Sequence, residues 1–211
     1  MFTYTTEIID NLEKSLSSDR LNTYLQETDH NKENALELYL WNCKTSAAFY
    51  SPLQCLEIAL RNSIHYELSK IYKSEAWYDQ IPLNNIGQSK IDRAKHKVQR
   101  FYSKIDPPHI VAELSFGFWL ALLNKQYHQT LWMSGLNKAF PHAHIKRAKI
   151  LHRLDHLRTL RNRIAHHEPI FKRHLEQDYT SIITAISWIC PNTANWTNHH
   201  HVVTDILSSR P

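Results

Sequence analysis

Leu160-Arg161-Asn162-Arg163-Ile164-Ala165-His166-His167-Glu168-Pro169 closes a long basic segment, and its spacing reads as the end of a helix. Upstream, Leu154 and Leu157 lead to Ile164 in steps of three and four, with Arg161 on or near the same face. That is the period of a helix with one packed side. Pro169 biases Glu168 away from helical geometry. The spacing therefore predicts a helix over 144–167 and a second one starting at 168–169 and running toward 188. Arg161 would face packed surface, where a guanidinium needs an anionic or carbonyl partner. Asn162 and His166, four apart, project together from the adjoining face. Arg161 and His166 are five apart, about 140° around an unbroken helix. They converge only if the helix unwinds near Pro169, or if a second protomer supplies one of them.

Outward from this stretch the chain also reads as helix. Short amphipathic helices are expected over 5–16 and 19–26, the second capped by Ser18 or Asp19. Another runs from about 34 toward 49. Ser51-Pro52 then suits a new helix start, followed by 53–72 with Leu53, Leu56, Leu60, Ile64 and Leu68 on one stripe. A turn at 81–85 precedes a basic helix over 86–102, and Asp106-Pro107-Pro108 ends it or begins the next. Short helices are expected over 109–114 and 117–124, then an aromatic segment with Trp132, Leu136 and Phe140. After Cys190-Pro191 come a turn and a last short helix near 201–207. No strand pattern competes. The expected fold is all-α, a helical bundle, with residues 1–30 as an N-terminal helical extension and 31–211 as the main domain.

The 211 residues suffice for one domain with a real core, and only three glycines occur. No run of about 18 apolar residues suggests a membrane span. The N-terminus lacks the charged and apolar regions of a signal peptide. Cys43, Cys55 and Cys190 show no paired spacing, which fits buried free thiols in a reducing cytoplasm. The net charge of +5 is unevenly spread. Residues 144–174 hold nine Lys/Arg against Asp155 and Glu168, whereas residues 1–40 hold eight acids against three bases. Residues 90–104 form a second basic segment. An acidic start and a basic centre favour attraction of a polyanion to one side.

The terminal motif holds the parts needed for RNA cleavage without a metal. In that chemistry the ribose 2′-hydroxyl attacks the phosphorus, a base takes its proton, and an acid protonates the leaving 5′-oxygen. Cations stabilise the phosphorane. Histidine serves as acid or base because its ordinary pKa lies near 6.5, and arginine's planar fork suits the phosphorane. Asn162 would hold the helix end or orient His166, although Asn and His at a helix terminus also simply cap carbonyls. Glu57 and Arg61, four apart, either pair with each other or let Glu57 hold Arg161 or Arg158. Phe116-Gly117-Phe118-Trp119 reads as core rather than as a base-stacking surface. Fifteen histidines occur without His-Glu-x-x-His or Cys-x-x-Cys, so neither a metal site nor a cofactor is expected.

The string Arg161-Asn162-x-x-x-His166 resembles the Arg-x(4–6)-His signature of HEPN-domain ribonucleases, and in particular the Abi-like (abortive infection) proteins within that superfamily. Three further blocks resemble that group in the same order: Ala35-Leu36-Glu37-Leu38-Tyr39-Leu40-Trp41-Asn42, Leu56-Glu57-Ile58-Ala59-Leu60-Arg61-Asn62, and Leu114-Ser115-Phe116-Gly117-Phe118-Trp119. The similarity covers about residues 20–207. It implies a HEPN-like all-α bundle, a homodimer that brings two motifs together, and metal-independent endoribonuclease activity in phage defence or toxin-like growth arrest. Carried over by position, Arg161 and His166 are the catalytic pair and Asn162 their support. Glu57, Arg61, Arg158 and His167 would be supporting residues, with Arg163 and Lys172 collecting RNA. Some HEPN toxins place a modifiable tyrosine two residues after the histidine; Glu168 stands there instead. The expected partners are RNA, a second copy of the chain and a cognate antitoxin or regulator. The alternative is a non-catalytic RNA- or nucleotide-binding or dimerisation module on the same scaffold.

Overall fold

The computed structural model describes residues 2–102 and 106–211; the far end of the second basic segment, at Lys104, lies outside them. The fold is all-α, with no strand among the described residues. The chain divides into two compact units. Residues 1–51, 160–179 and 201–211 make the first, and residues 52–159 and 180–200 the second.

In the first unit, α1 (Thr6–Leu16) is capped by the Thr5 hydroxyl. α2 (Ser18–Glu27) is capped by Ser17, one residue before the expected cap, because Ser17 takes a left-handed φ of 70° that turns its hydroxyl onto the Arg20 N–H. α3 (Lys32–Tyr72) is one helix of 41 residues with Pro52 inside it. The expected break at Ser51-Pro52 does not occur. Proline forfeits one backbone bond, but Phe49, Leu53 and Leu56 stay in phase and buried across it. The boundary between the two units nevertheless falls at this proline. The first unit's core gathers Leu21 and Tyr24 of α2, Leu36, Leu38 and Trp41 of α3, and Ile170 and Phe171. Tyr24 sits edge-on to Tyr39 at 5.2 Å and tilted on Phe171 at 5.0 Å. Trp41 donates from Nε1 to the Ile206 carbonyl at 2.8 Å, fixing α10 (Val203–Ser208).

In the second unit, Leu56, Leu60, Ile64 and Leu68 form a fully buried stripe on α3. α4 (Asn85–Phe101) starts at the Asn84 cap, and α5 (Pro107–Glu113) starts with proline in its first turn. In α6 (Phe116–Ala121), Phe116, Phe118 and Trp119 are buried. Phe118 stacks on Trp77 with centroids 6.4 Å apart, and Trp119 lies 5.9 Å from it. The aromatic block is therefore core. Residues 125–139 fold as short 3₁₀ and π turns. α7 (Arg147–Ala165) and α8 (Leu175–Ser187) are each divided between the units. α9 (Pro191–His199) occupies the stretch expected to be a turn. Its proline sits at the first helical position, where no N–H is needed.

Arg61-Asn62-x-x-His65 has the residue types of the terminal motif with its histidine one residue closer, and His65 is used differently. Its Nδ1 accepts from Nε1 of the fully buried Trp77 at 2.9 Å, and burial holds its pKa below the ordinary value. Because the folded form resists protonation, the contribution is complete above the unfolded pKa near 6.5 and drains away as pH falls through the lower folded value. His65→Ala should cost about 1–3 kcal/mol by stranding the indole N–H, and should flatten this acid slope. Denaturant titrations at pH 7.5 and 5 measure both; an unchanged slope would show that His65 is not the group responsible.

Candidate functional site

The end of α7 is a well-defined helix stop. His166 still donates its N–H to the Asn162 carbonyl at 2.9 Å, the helical i→i−4 bond. His167 then takes a left-handed φ of 56°. Its N–H reaches the Ile164 carbonyl at 3.1 Å, and the Glu168 N–H reaches the Arg163 carbonyl at 2.8 Å. This pair of bonds is the Schellman motif, with histidine where glycine usually stands. The helix thus ends at His167 before Pro169 exerts its effect, and residues 168–174 form a looped connection instead of the expected helix start. Helical geometry holds through His166, so unwinding at Pro169 does not swing His166 toward Arg161. The two remain about 140° apart around one helix.

His166 and His167 are exposed, while Arg161, Asn162 and Arg163 are half-buried. Arg161 is engaged by a neighbouring group. Arg163 pairs with Glu168 at 3.2 Å and lies 3.5 Å from the Pro169 carbonyl, at the negative end of the helix. Lys172 pairs with Glu27 of α2 at 3.2 Å. The acidic start of the chain therefore neutralises part of the basic segment within this unit. Such half-exposed pairs contribute at most about 1 kcal/mol each, so a phosphate can exchange for either carboxylate.

Three anchors hold the connection after the motif. The buried Asn42 accepts the Ile170 N–H on its Oδ1 at 2.8 Å. Arg173 grips Asp178 of α8 through two bonds of 2.7 and 3.0 Å. Arg210 donates to the Phe171 carbonyl at 3.4 Å and approaches Glu27 at 3.6 Å. Asn42 closes the first sequence block, and its role there is to tie α3 to the backbone beyond the motif.

Arg20 was not singled out by any sequence pattern. From α2 it donates through Nη1 to the His167 carbonyl at 2.6 Å, across 147 residues of sequence. The only signal available was its position four residues before Tyr24, on the same side of the helix.

The remaining expected residues lie in the second unit. Arg158 pairs with Asp155 one turn back, at 2.7 Å. A Cβ on Gly117 would lie 3.6 Å from the Arg158 Cδ, so the glycine of the third block sits against this side chain. Arg61 donates to the Asn62 side chain at 3.1 Å, while Glu57 is half-buried and engaged. The three cysteines are free, as expected, but none is fully buried: Cys43 is exposed on the outer face of α3, and Cys55 and Cys190 are half-buried. Among the described residues, no cluster of three or more His, Cys, Asp or Glu is placed to hold a metal ion, and no helix is long and apolar enough to cross a membrane.

The family model for Abi-like proteins matches residues 4–172, which takes in α1 through the whole motif and its Asn42 and Arg20 anchors. The chain belongs to the Abi-like family. No curated protein and no solved structure matches it. Membership of the Abi-like family suggests a role in abortive infection, a form of defence.

Proposed function

We propose that this Abi-like protein is a metal-independent endoribonuclease of the HEPN type, acting in phage defence on RNA as a homodimer. The observation that carries the reading is the α7 terminus. An exposed histidine stands one helical turn from Asn162, with Arg161 and Arg163 flanking it and the backbone beyond fixed by three anchors. His166 would move the proton to or from the 2′-hydroxyl or the 5′-oxygen. Arg161 would stabilise the phosphorane, and Asn162 would orient the histidine. Because helical order persists through His166, the pair is expected to assemble between protomers, Arg161 from one and His166 from its partner. Arg163 and Lys172 would trade Glu168 and Glu27 for backbone phosphates.

The purified chain should cut single-stranded RNA in excess EDTA and leave 2′,3′-cyclic phosphate ends. Binding should weaken steeply as salt rises, since each neutralised phosphate releases counterions. Salt-sensitive binding with no product at any protein concentration would replace this reading by the non-catalytic one.

A further inference from the structure

We propose that Arg20 is a positioning residue of the α7 terminus: its hydrogen bond to the His167 carbonyl holds the left-handed corner that sets where His166 presents its imidazole. The inference rests on the reading of His166 as the proton carrier.

Four observations carry it. The first is strain. A side chain with a Cβ is disfavoured at the φ of 56° that His167 adopts, and the sequence has not placed one of its three glycines there. Something must hold the corner. The second is the bond itself, a charge-assisted contact of 2.6 Å to the carbonyl of the strained residue. The third is that α2 is a fixed support. Leu21 and Tyr24 are buried, and Tyr24 packs on both Tyr39 and Phe171. Arg20 and Tyr24, four apart on α2, therefore grip His167 and Phe171, four apart beyond the motif. The fourth is electrostatic: the Arg20 charge is felt at Tyr24, Tyr39 and Cys43, where it opposes the upward push of burial. The guanidinium, though exposed, thus lies within Coulombic reach of these groups.

His166 immediately precedes the corner, so losing the corner's two capping bonds to Ile164 and Arg163 would let the last turn, which carries the imidazole, fray. Misplacement of a catalytic group by about 1 Å costs on the order of 100-fold in rate. The test uses the full chain and three variants: Arg20→Ala, His167→Gly, and both together. Arg20→Ala should lower kcat by roughly 10- to 100-fold with little change in KM. Glycine adopts the left-handed region without help, so removing Arg20 in the His167→Gly background should change kcat by less than about threefold. A raised KM, an unchanged kcat and no rescue by glycine would make Arg20 a plain RNA contact and overturn the proposal.

Amide exchange reads the corner independently of activity. The Glu168 N–H, bonded to the Arg163 carbonyl, should lose protection in Arg20→Ala and regain it in the double variant. If the parent chain cuts no RNA, the ribonuclease reading fails, and this exchange pattern alone decides the corner role. Equal Glu168 protection in all four proteins would overturn it.

Discussion

Replacing His166 by alanine should lower RNA cleavage by about 10²- to 10⁴-fold, the span removed with a positioned general acid or base, while RNA affinity stays near that of the parent. The side chain is exposed at the helix end and follows an intact helical bond, so its loss should leave the fold undisturbed. Arg161→Ala should match it in rate. The more discriminating experiment mixes the two inactive chains. If Arg161 and His166 act across a dimer, a mixed dimer regains one complete site of two, and random pairing makes half the dimers mixed. Activity should then return to about a quarter of the parental value. A site built within one chain gives no recovery on mixing. An undiminished His166→Ala rate would remove the histidine from the mechanism altogether.

Arg173→Ala should be the most destabilising polar substitution in the first unit. The Asp178 side chain is 3% exposed, and its partner only 14%. Two carboxylate–guanidinium bonds of 2.7 and 3.0 Å satisfy it. Removing the arginine leaves the carboxylate buried with that partner gone, which costs about 3–5 kcal/mol. For a chain of this size that is a fall in Tm of roughly 6–20 °C. Replacing both members by apolar residues of similar volume should cost much less, since the desolvation penalty disappears with the charges. Thermal denaturation of Arg173→Ala beside Arg173→Met/Asp178→Leu separates the cases. Equal losses in both would mean that packing, not charge burial, holds this connection. Because the pair closes the loop that starts at the motif, Arg173→Ala should also weaken cleavage at temperatures where the protein remains folded.

The helices were legible because their apolar residues recur at the helical period, and 5–16, 86–102 and 109–114 lie close to the observed α1, α4 and α5. Pro52 misled because a proline reads as a start when nothing shows what is buried on either side. Burial of Phe49, Leu53 and Leu56 in one phase keeps α3 continuous through it. At the motif, the expected helix end at 167 is where the stop falls, but it is made by a left-handed histidine, and no residue type announces that. Arg20 and His167 lie 147 residues apart, and Asn42 and Ile170 are 128 apart. Such pairings exist only once the chain is folded. The echo at Arg61-Asn62-x-x-His65 is settled by Trp77, whose need for an acceptor has no sequence signature.

The pairing of Arg163 with Glu168 and of Lys172 with Glu27 makes the chain its own weak competitor. If Arg163 and Lys172 collect RNA as proposed, each carboxylate occupies a seat that a phosphate would take, and binding would begin with an eviction. Binding would then show a threshold: sparse RNA would meet a partly shielded surface, while a dense polyanion would displace both carboxylates together. Glu168→Gln and Glu27→Gln would lift that shield, tightening binding most at low salt, where the internal anions compete best.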